Sequence, residues 1–475
     1  MSDPINVAKI DLSTLSKFQK ALHEPKSEEE EIESRFSYQL RKTTWSTHMP
    51  VKLTATEVSE QVVFTANPKF HYLLYTFIRQ KLIGLRVKTN YSKSVQICWP
   101  HNLAINIIKQ GTLCFDDDIA QTLDNIWFNI YYQFYMKPGK REHFNLMVGN
   151  VHYLEEWSDF LPEHTVVLPQ PFYYSKNEAL AIPLFLCTLS TVTHKYSLRS
   201  RISEILRMRV KTKDDEWREI PFNYKYVDGI TTADECLPKP ELWGRYSQIT
   251  EPECDWRKSQ PNKVYIEDIV SSSSENLYSY DNNAIIDIHC DTPCKALFWV
   301  AENINATINR NFSNFSTNDD NLFDGWNPIQ KSKLNYGGTQ RLPDMENDHF
   351  DRTEPWYHFP SAPCEPGYNA YSFAYDSTSL NADIGIIFKG LNAKLVLKMG
   401  NTDPALKQVK PKFIDNDISK EELIPDEVEL LKDNIESNNK AKFKIHARLL
   451  VIKKLKFHND KCYVISTKSI KDTKI

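Results

Sequence analysis

Glycine is scarce in this chain, with 13 in 475 residues. Tight turns must therefore come mainly from the 25 prolines and from Asn and Asp, which bend the backbone by other means. No apolar run approaches the roughly 20 residues that a membrane-crossing helix needs. The start of the chain, MSDPINVAKIDL, has no basic flank leading into an apolar stretch, so no secretory leader is expected. An excess of positive charge is also missing. Lys and Arg number 58 against 62 Asp and Glu, giving a net charge of −4, which argues against wholesale electrostatic binding to nucleic acid. The chain carries no Gly-rich phosphate loop, no Gly-x-Ser-x-Gly elbow and no His-Glu-x-x-His. The sequence therefore nominates no catalytic, cofactor-binding or metal residues. Carboxylate pairs are unavoidable among 62 acidic residues and point to no particular chemistry.

What the chain has in abundance is aromatic surface: 23 Tyr, 24 Phe and 10 Trp. Large flat side chains pack well on pleated strands. At 475 residues a single core is unlikely in size terms, because cores stop growing near roughly 250–300 residues, so two domains are expected. The odd count of nine cysteines and the missing leader predict reduced thiols. Sequons at Asn90, Asn305, Asn311 and Asn314 then read as chance matches.

Residues 1–34 form a polar N-terminal arm. A short helix is predicted over Leu12 to Leu22, followed by the acidic run from Glu28 to Glu33. From residue 35 short segments alternate in polarity with period two, as in Gln61–Thr65 and Leu85–Thr89, and predict half-buried strands. Further strands are expected at Pro50–Leu53, Val95–Trp99, Thr165–Leu168 and Leu180–Val192. Residues 117–148 break the pattern. Ile119, Leu123, Ile126, Trp127 and Ile130 recur at spacings of three and four, predicting a helix ended by Pro138-Gly139 and a second one running to Val148. A charged stretch over 210–220 sets the domain boundary, giving domains 35–215 and 216–475. In the second domain, residues 230–280 and 303–333 have loop composition, with strands at Ala284–His289, Lys295–Val300, Ala370–Tyr375, Ala393–Lys398, Lys442–Ile452 and Lys461–Ser466. Residues 416–439 read as an acidic surface excursion. The last 34 residues carry ten Lys and Arg against two Asp. That basic patch either is compensated by the acidic excursion or faces lipid headgroups or DNA.

Three small constellations carry residue types suited to chemistry. Cys290 and Cys294, with His289 beside them, have ligand-like spacing but lack the two further ligands a zinc site needs. They read as core or turn thiols. Phe115-Asp116-Asp117-Asp118 could offer oxygens to a hard cation, but reads as the cap of the predicted helix. Trp356-Tyr357-His358-Phe359 could stack on a sugar or base, and reads as core or as an interface anchor.

Several segments, in order along the chain, resemble the major capsid proteins of nucleocytoplasmic large DNA viruses, of the iridovirus and ascovirus type. They are Tyr38–Thr47 with Pro50-Val51, His71–Thr76, Trp99–Phe115, Leu123–Asn125, Met147–Asn150, Leu168–Ser175 leading to Ala179–Leu184, Lys295–Val300, Pro355–His358, and Gly367–Ala374 with Ser379-Leu380. The late segment departs from the family pattern, reading Asn381-Ala382-Asp383-Ile384-Gly385 where many members have Pro-Ser-Gly. The resemblance implies an all-β chain of two consecutive eight-stranded jelly rolls, a double jelly roll, with short helical insertions. It implies a structural protein without catalysis or cofactors, in the virion and assembled in the host cytoplasm. Its partners would be two further copies in a homotrimeric pseudo-hexagonal capsomer, the capsomer lattice, minor capsid or cement proteins, the inner membrane and an assembly chaperone, with no specific nucleic acid. Residues 230–280 and 303–345 would build the outer tower. Two other readings stay open: a divergent minor capsid paralogue, and a carbohydrate-binding jelly-roll module. The module predicts exposed Trp or Tyr on a sheet face opposite paired carboxylates, whereas burial of Trp356 and Tyr357 would favour the shell.

Overall fold

The computed structural model describes residues 47–58, 61–137, 139–212, 215–230, 236–259, 262–280, 282–378, 385–400, 443–458 and 460–465. The N-terminal arm, the acidic excursion at 416–439 and residues 466–475 of the basic end lie outside them.

The first half folds into two antiparallel sheets facing one another. Strands β1 (Thr47–Lys52), β2 (Thr54–Val58), β3 (Gln61–Thr65), β4 (Tyr72–Leu82), β5 (Ile108–Phe115), β6 (Asp118–Asp124), β7 (His164–Pro169), β8 (Val192–Leu198) and β9 (Glu241–Gln248) supply them. One sheet runs β1-β9-β4-β7, with the short strand Ile182–Pro183 also paired to β4, and the other runs β2-β3-β8-β5-β6. Chain neighbours are thus often not sheet neighbours, the mark of a jelly roll rather than a meander. The expected period-two burial is clear in β4, whose Thr76, Ile78, Gln80 and Leu82 point inward.

The second half repeats the plan. It uses β10 (Asn262–Tyr278), β11 (Asn283–Ile288), β12 (Cys294–Asn303), β13 (Ile329–Tyr336), β14 (Thr339–Glu346), β15 (Tyr368–Ser372), β16 (Ala393–Met399), β17 (Phe443–His458) and β18 (Lys461–Ile465). One sheet is β10-β17-β12-β15, with β18 added to β17, and the other is β11-β16-β13-β14. The chain is therefore a double jelly roll, as its resemblance implied.

Strand β12 explains how the halves join. Its residues Cys294–Asn303 are buried almost without interruption. Ala296, Phe298 and Val300 face a core shared with the first half, while Leu297, Trp299 and Ala301 face the core of the second half. A strand with both faces covered is apolar wherever no partner meets a charge, so the run Ala-Leu-Phe-Trp-Val after the paired Lys295 is what its position requires. Helix α1 (Asn125–Phe134) of the first half lies against this strand. Trp127 and Phe134 meet the Phe298 ring with centroids 5.4 and 5.2 Å away, and Phe359 meets it at 5.3 Å.

The structure corrects several expectations. The helix predicted from residue 117 starts at Asn125, and Asp118–Asp124 is strand β6. The misleading spacing rested partly on Ile119, which is exposed, while the buried residues of the strand are Ala120, Gln121 and Leu123. The predicted second helix exists as α2 (Arg141–Val148). Of Leu180–Val192 only Ile182–Pro183 is strand before β8 begins at Val192, and most of the rest is single turns. The charged stretch over 210–220 is a hairpin of Arg207–Lys211 and Trp217–Ile220. Residues 230–280 are not a loop, for they contain β9 and the 17-residue β10. Pairing also places β9 in the first half, between β1 and β4. The passage into the second half therefore falls between Gln248 and Asn262, downstream of the boundary expected at 215/216.

Candidate functional site

Several buried charged groups meet at the junction of the halves. Two adjacent acids on β10, Glu267 and Asp268, stand in an otherwise apolar stretch and are nearly fully buried. Strand alternation sends them to opposite faces. Glu267 is held by Lys176 from the first half, at 2.7 Å, and by Lys295 of β12. Burial alone would raise its carboxyl, but the two ammonium groups outweigh that and keep it below the usual carboxylate range. Asp268 pairs with Lys453 of β17 and accepts the Thr122 amide of β6 at 3.3 Å. There burial wins, and the carboxyl sits above its ordinary value.

Edge strand β6 is tied to β10 by side chains. The Gln121 amide donates to the Glu267 carbonyl at 2.8 Å, while its oxygen accepts the Tyr173 amide at 2.9 Å. One end of β6 carries Asp124, which caps α1 by accepting the Trp127 amide at 2.8 Å. The other Asp124 oxygen takes the Arg448 guanidinium of β17 at 2.5 Å. One carboxylate thus starts a helix in one half and neutralises a buried cation in the other. A further link is His101, whose ring lies 2.7 Å from Glu155 in its own half and 3.2 Å from Glu365 in the second. Burial would lower the imidazole, yet Glu365 and Glu155 push it up to about 10.

The sequence candidates fall elsewhere. Cys290 and Cys294 are buried free thiols, donating to the carbonyls of Thr292 and Ala296. Asp116 sits in the β5–β6 turn with φ 53°, accepting the Thr191 amide at 2.7 Å. It is not a helix cap, which is the role of Asp124. Among the described residues no group of three His, Cys, Asp or Glu could hold a metal ion. Asn311 and Asn314 of the sequons are buried.

Trp356 and Tyr357 are not core. They lie on helix α3 (Glu354–His358) and are 78% and 73% exposed, beside Tyr375 at 90%. Burial was the outcome that would have favoured a shell, so this test does not support that reading by itself. The glycan reading asks in addition for a sheet face and paired carboxylates. Here the residues ride a five-residue helix, and the nearby Glu354 is buried and accepts the Ser372 amide at 2.9 Å. Large exposed aromatics are the residues that gain most when a partner covers them.

The junction residues were missed in the sequence although a signal existed. Glu267-Asp268 between Ile266 and Ile269, Lys295 before Ala-Leu-Phe-Trp, and Arg448 within Ala-Arg-Leu-Leu all interrupt apolar strands. Charges in such places must be paired.

Comparison with known proteins follows these lines. Residues 34–246 match the family model described as major capsid protein N-terminus, and residues 253–388 match that described as large eukaryotic DNA virus major capsid protein. The gap between the two matches falls where strand pairing changes halves. Among relatives, the major capsid protein of Invertebrate iridescent virus 6 is 23% identical over 77% of this chain and 82% of its own length. That of Lymphocystis disease virus 1 is 24% identical over 85% and 89%. Two solved structures share the fold: the PBCV-1 virus capsid, with TM-score 0.64 over 90% of this chain and 98% of the other, and the Faustovirus major capsid protein, with TM-score 0.65 over 88% and 92%.

Proposed function

The chain belongs to the family of large eukaryotic DNA virus major capsid proteins, structural components of the virion, and from that premise we propose that three copies close into a pseudo-hexagonal capsomer. The observation that carries this reading is the doubling of the fold. Each chain presents two jelly rolls of similar strand number joined through β12. Three such chains around an axis give six similar lobes, and such rings tile a flat facet. The exposed aromatics Trp356, Tyr357 and Tyr375 are the anchors of contact between copies, since Trp and Tyr gain most when a partner dehydrates them. Capsomers then meet one another, cement proteins and the inner membrane, and assembly proceeds in the host cytoplasm with a chaperone to protect slow-forming sheets. No catalysis, cofactor or specific nucleic acid enters this reading.

The mass of the purified chain in solution tests it. A species of three times 55.4 kDa is expected. Replacing Trp356 and Tyr357 together by Ala should leave each chain folded and shift the mass toward the monomer. A folded monomer of the unaltered chain at all concentrations would turn the reading to a minor capsid paralogue.

A further inference from the structure

We propose that the N-terminal segment of this same chain, residues 1–34, docks in a tyrosine-lined groove beside α2. The groove has a volume of about 1150 Å³. Its apolar walls are Tyr75 and Phe77 of β4, Tyr131 of α1 and Tyr135 at its C-terminal cap, and Phe144 and Met147 of α2. Tyr131 and Tyr135 stack with centroids 5.4 Å apart, and the Lys176 ammonium stands over both rings at 5.3 and 5.6 Å. Tyr75 is 41% exposed. The charges on the lining are Lys137, Lys140 and Lys176 against the single carboxylate of Glu267, which is already held by Lys176 and Lys295. An occupant must therefore offer apolar side chains together with several negative charges.

The N-terminal segment offers both. Leu15, Phe18 and Leu22 recur at helical spacing, and Glu28 to Glu31 with Glu33 follow within a dozen residues. An amphipathic helix laid in a groove uses anchors at this spacing. Lysines along the rim would then meet the glutamates, an attraction that salt weakens. The geometry of the chain also permits it. Strand β1 opens at Thr47 and is separated from β4 only by β9, a distance of about 10 Å at the usual strand spacing. Residues 35–46 can span up to about 40 Å when extended. The segment thus enters on the sheet whose β4 carries Tyr75 and Phe77.

Hydrogen exchange on the full chain, on a chain starting at residue 35, and on that shorter chain with a synthetic peptide of residues 1–34 tests the proposal. The amides of Arg141–Val148 should exchange at least fivefold faster without the segment, and the peptide should restore their protection in low salt but not in high salt. The full-length double variant Lys137→Glu, Lys140→Glu should lose the same protection, and it decides the matter if the shortened chain does not fold. Equal exchange in all samples overturns the proposal. So does protection that survives truncation and varies with protein concentration, which would assign the groove to a second copy. Solution mass read on the same samples reports separately on the trimer.

Discussion

The Asp124–Arg448 contact permits a sharp test of how the halves are held. Asp124→Ala removes two things at once. It takes away the side-chain cap of α1, a loss of about 1 kcal/mol. It also leaves Arg448, which is 3% exposed, without its carboxylate. Stripping one partner from a buried pair costs about 3–5 kcal/mol, since the remaining charge stays desolvated. Arg448 keeps its bonds to the carbonyls of Ser272 and Ala447, which places the charge penalty at the lower end of that range. A total of about 4 kcal/mol is expected from urea-induced unfolding. Arg448→Met fills a similar volume without charge and should cost less, about 1–2 kcal/mol, on the same reasoning. The double variant then separates the two effects. If the pair is the cause, the double variant is more stable than the sum of the single losses predicts by about 2 kcal/mol. Strict additivity would refute the reasoning and leave the cap as the only role of Asp124.

Three further outcomes follow from the same packing. Phe298→Ala should cost about 3–5 kcal/mol and split the single thermal transition into two, because that ring joins α1 to β12; calorimetry reads both effects. Gly367 has φ 95°, and a Cβ there would collide with the Phe315 carbonyl, so Gly367→Ala should lower stability by about 3 kcal/mol in urea unfolding. The raised His101 imidazole contributes stability that is full below its ordinary value of 6.5 and is lost as pH climbs toward about 10. Unfolding free energy should therefore fall by up to about 1.4 kcal/mol per pH unit across that window, and a His101→Gln chain should show a flatter profile there.

The two jelly rolls were legible because half-buried strands advertise themselves. Gln61–Thr65 is β3 to the residue, and Ala393–Lys398 alternates and is β16 but for Met399. What escaped was long-range. The polar run Ser271–Glu275 hid the middle of β10, since only the partner strand shows that Ser273 bonds His446 at 2.8 Å and Ser272 the Asp287 carbonyl at 3.2 Å. Strand β6 was masked by helix spacing that belonged in part to the residues after Asp124. The exposure of Trp356 could not be read either, because aromatic clusters serve cores and contact surfaces alike and only burial tells them apart. The charges of the junction were visible, but their partners come from strands up to about 320 positions away in sequence, beyond any local pattern.

The shared layer of β12 has a consequence for how a shell can be built quickly from loose parts. Two lobes on a flexible tether would each have to be oriented anew when copies meet, and that lost freedom would weaken every contact made. Here the relative angle of the lobes is settled while the chain folds, by a strand that belongs to both cores. In the proposed capsomer, association would then have only whole chains to orient, and weak edge contacts would suffice to close the ring. In the proposed ring, contacts that are weak one by one would let a misplaced copy leave again before the facet is sealed.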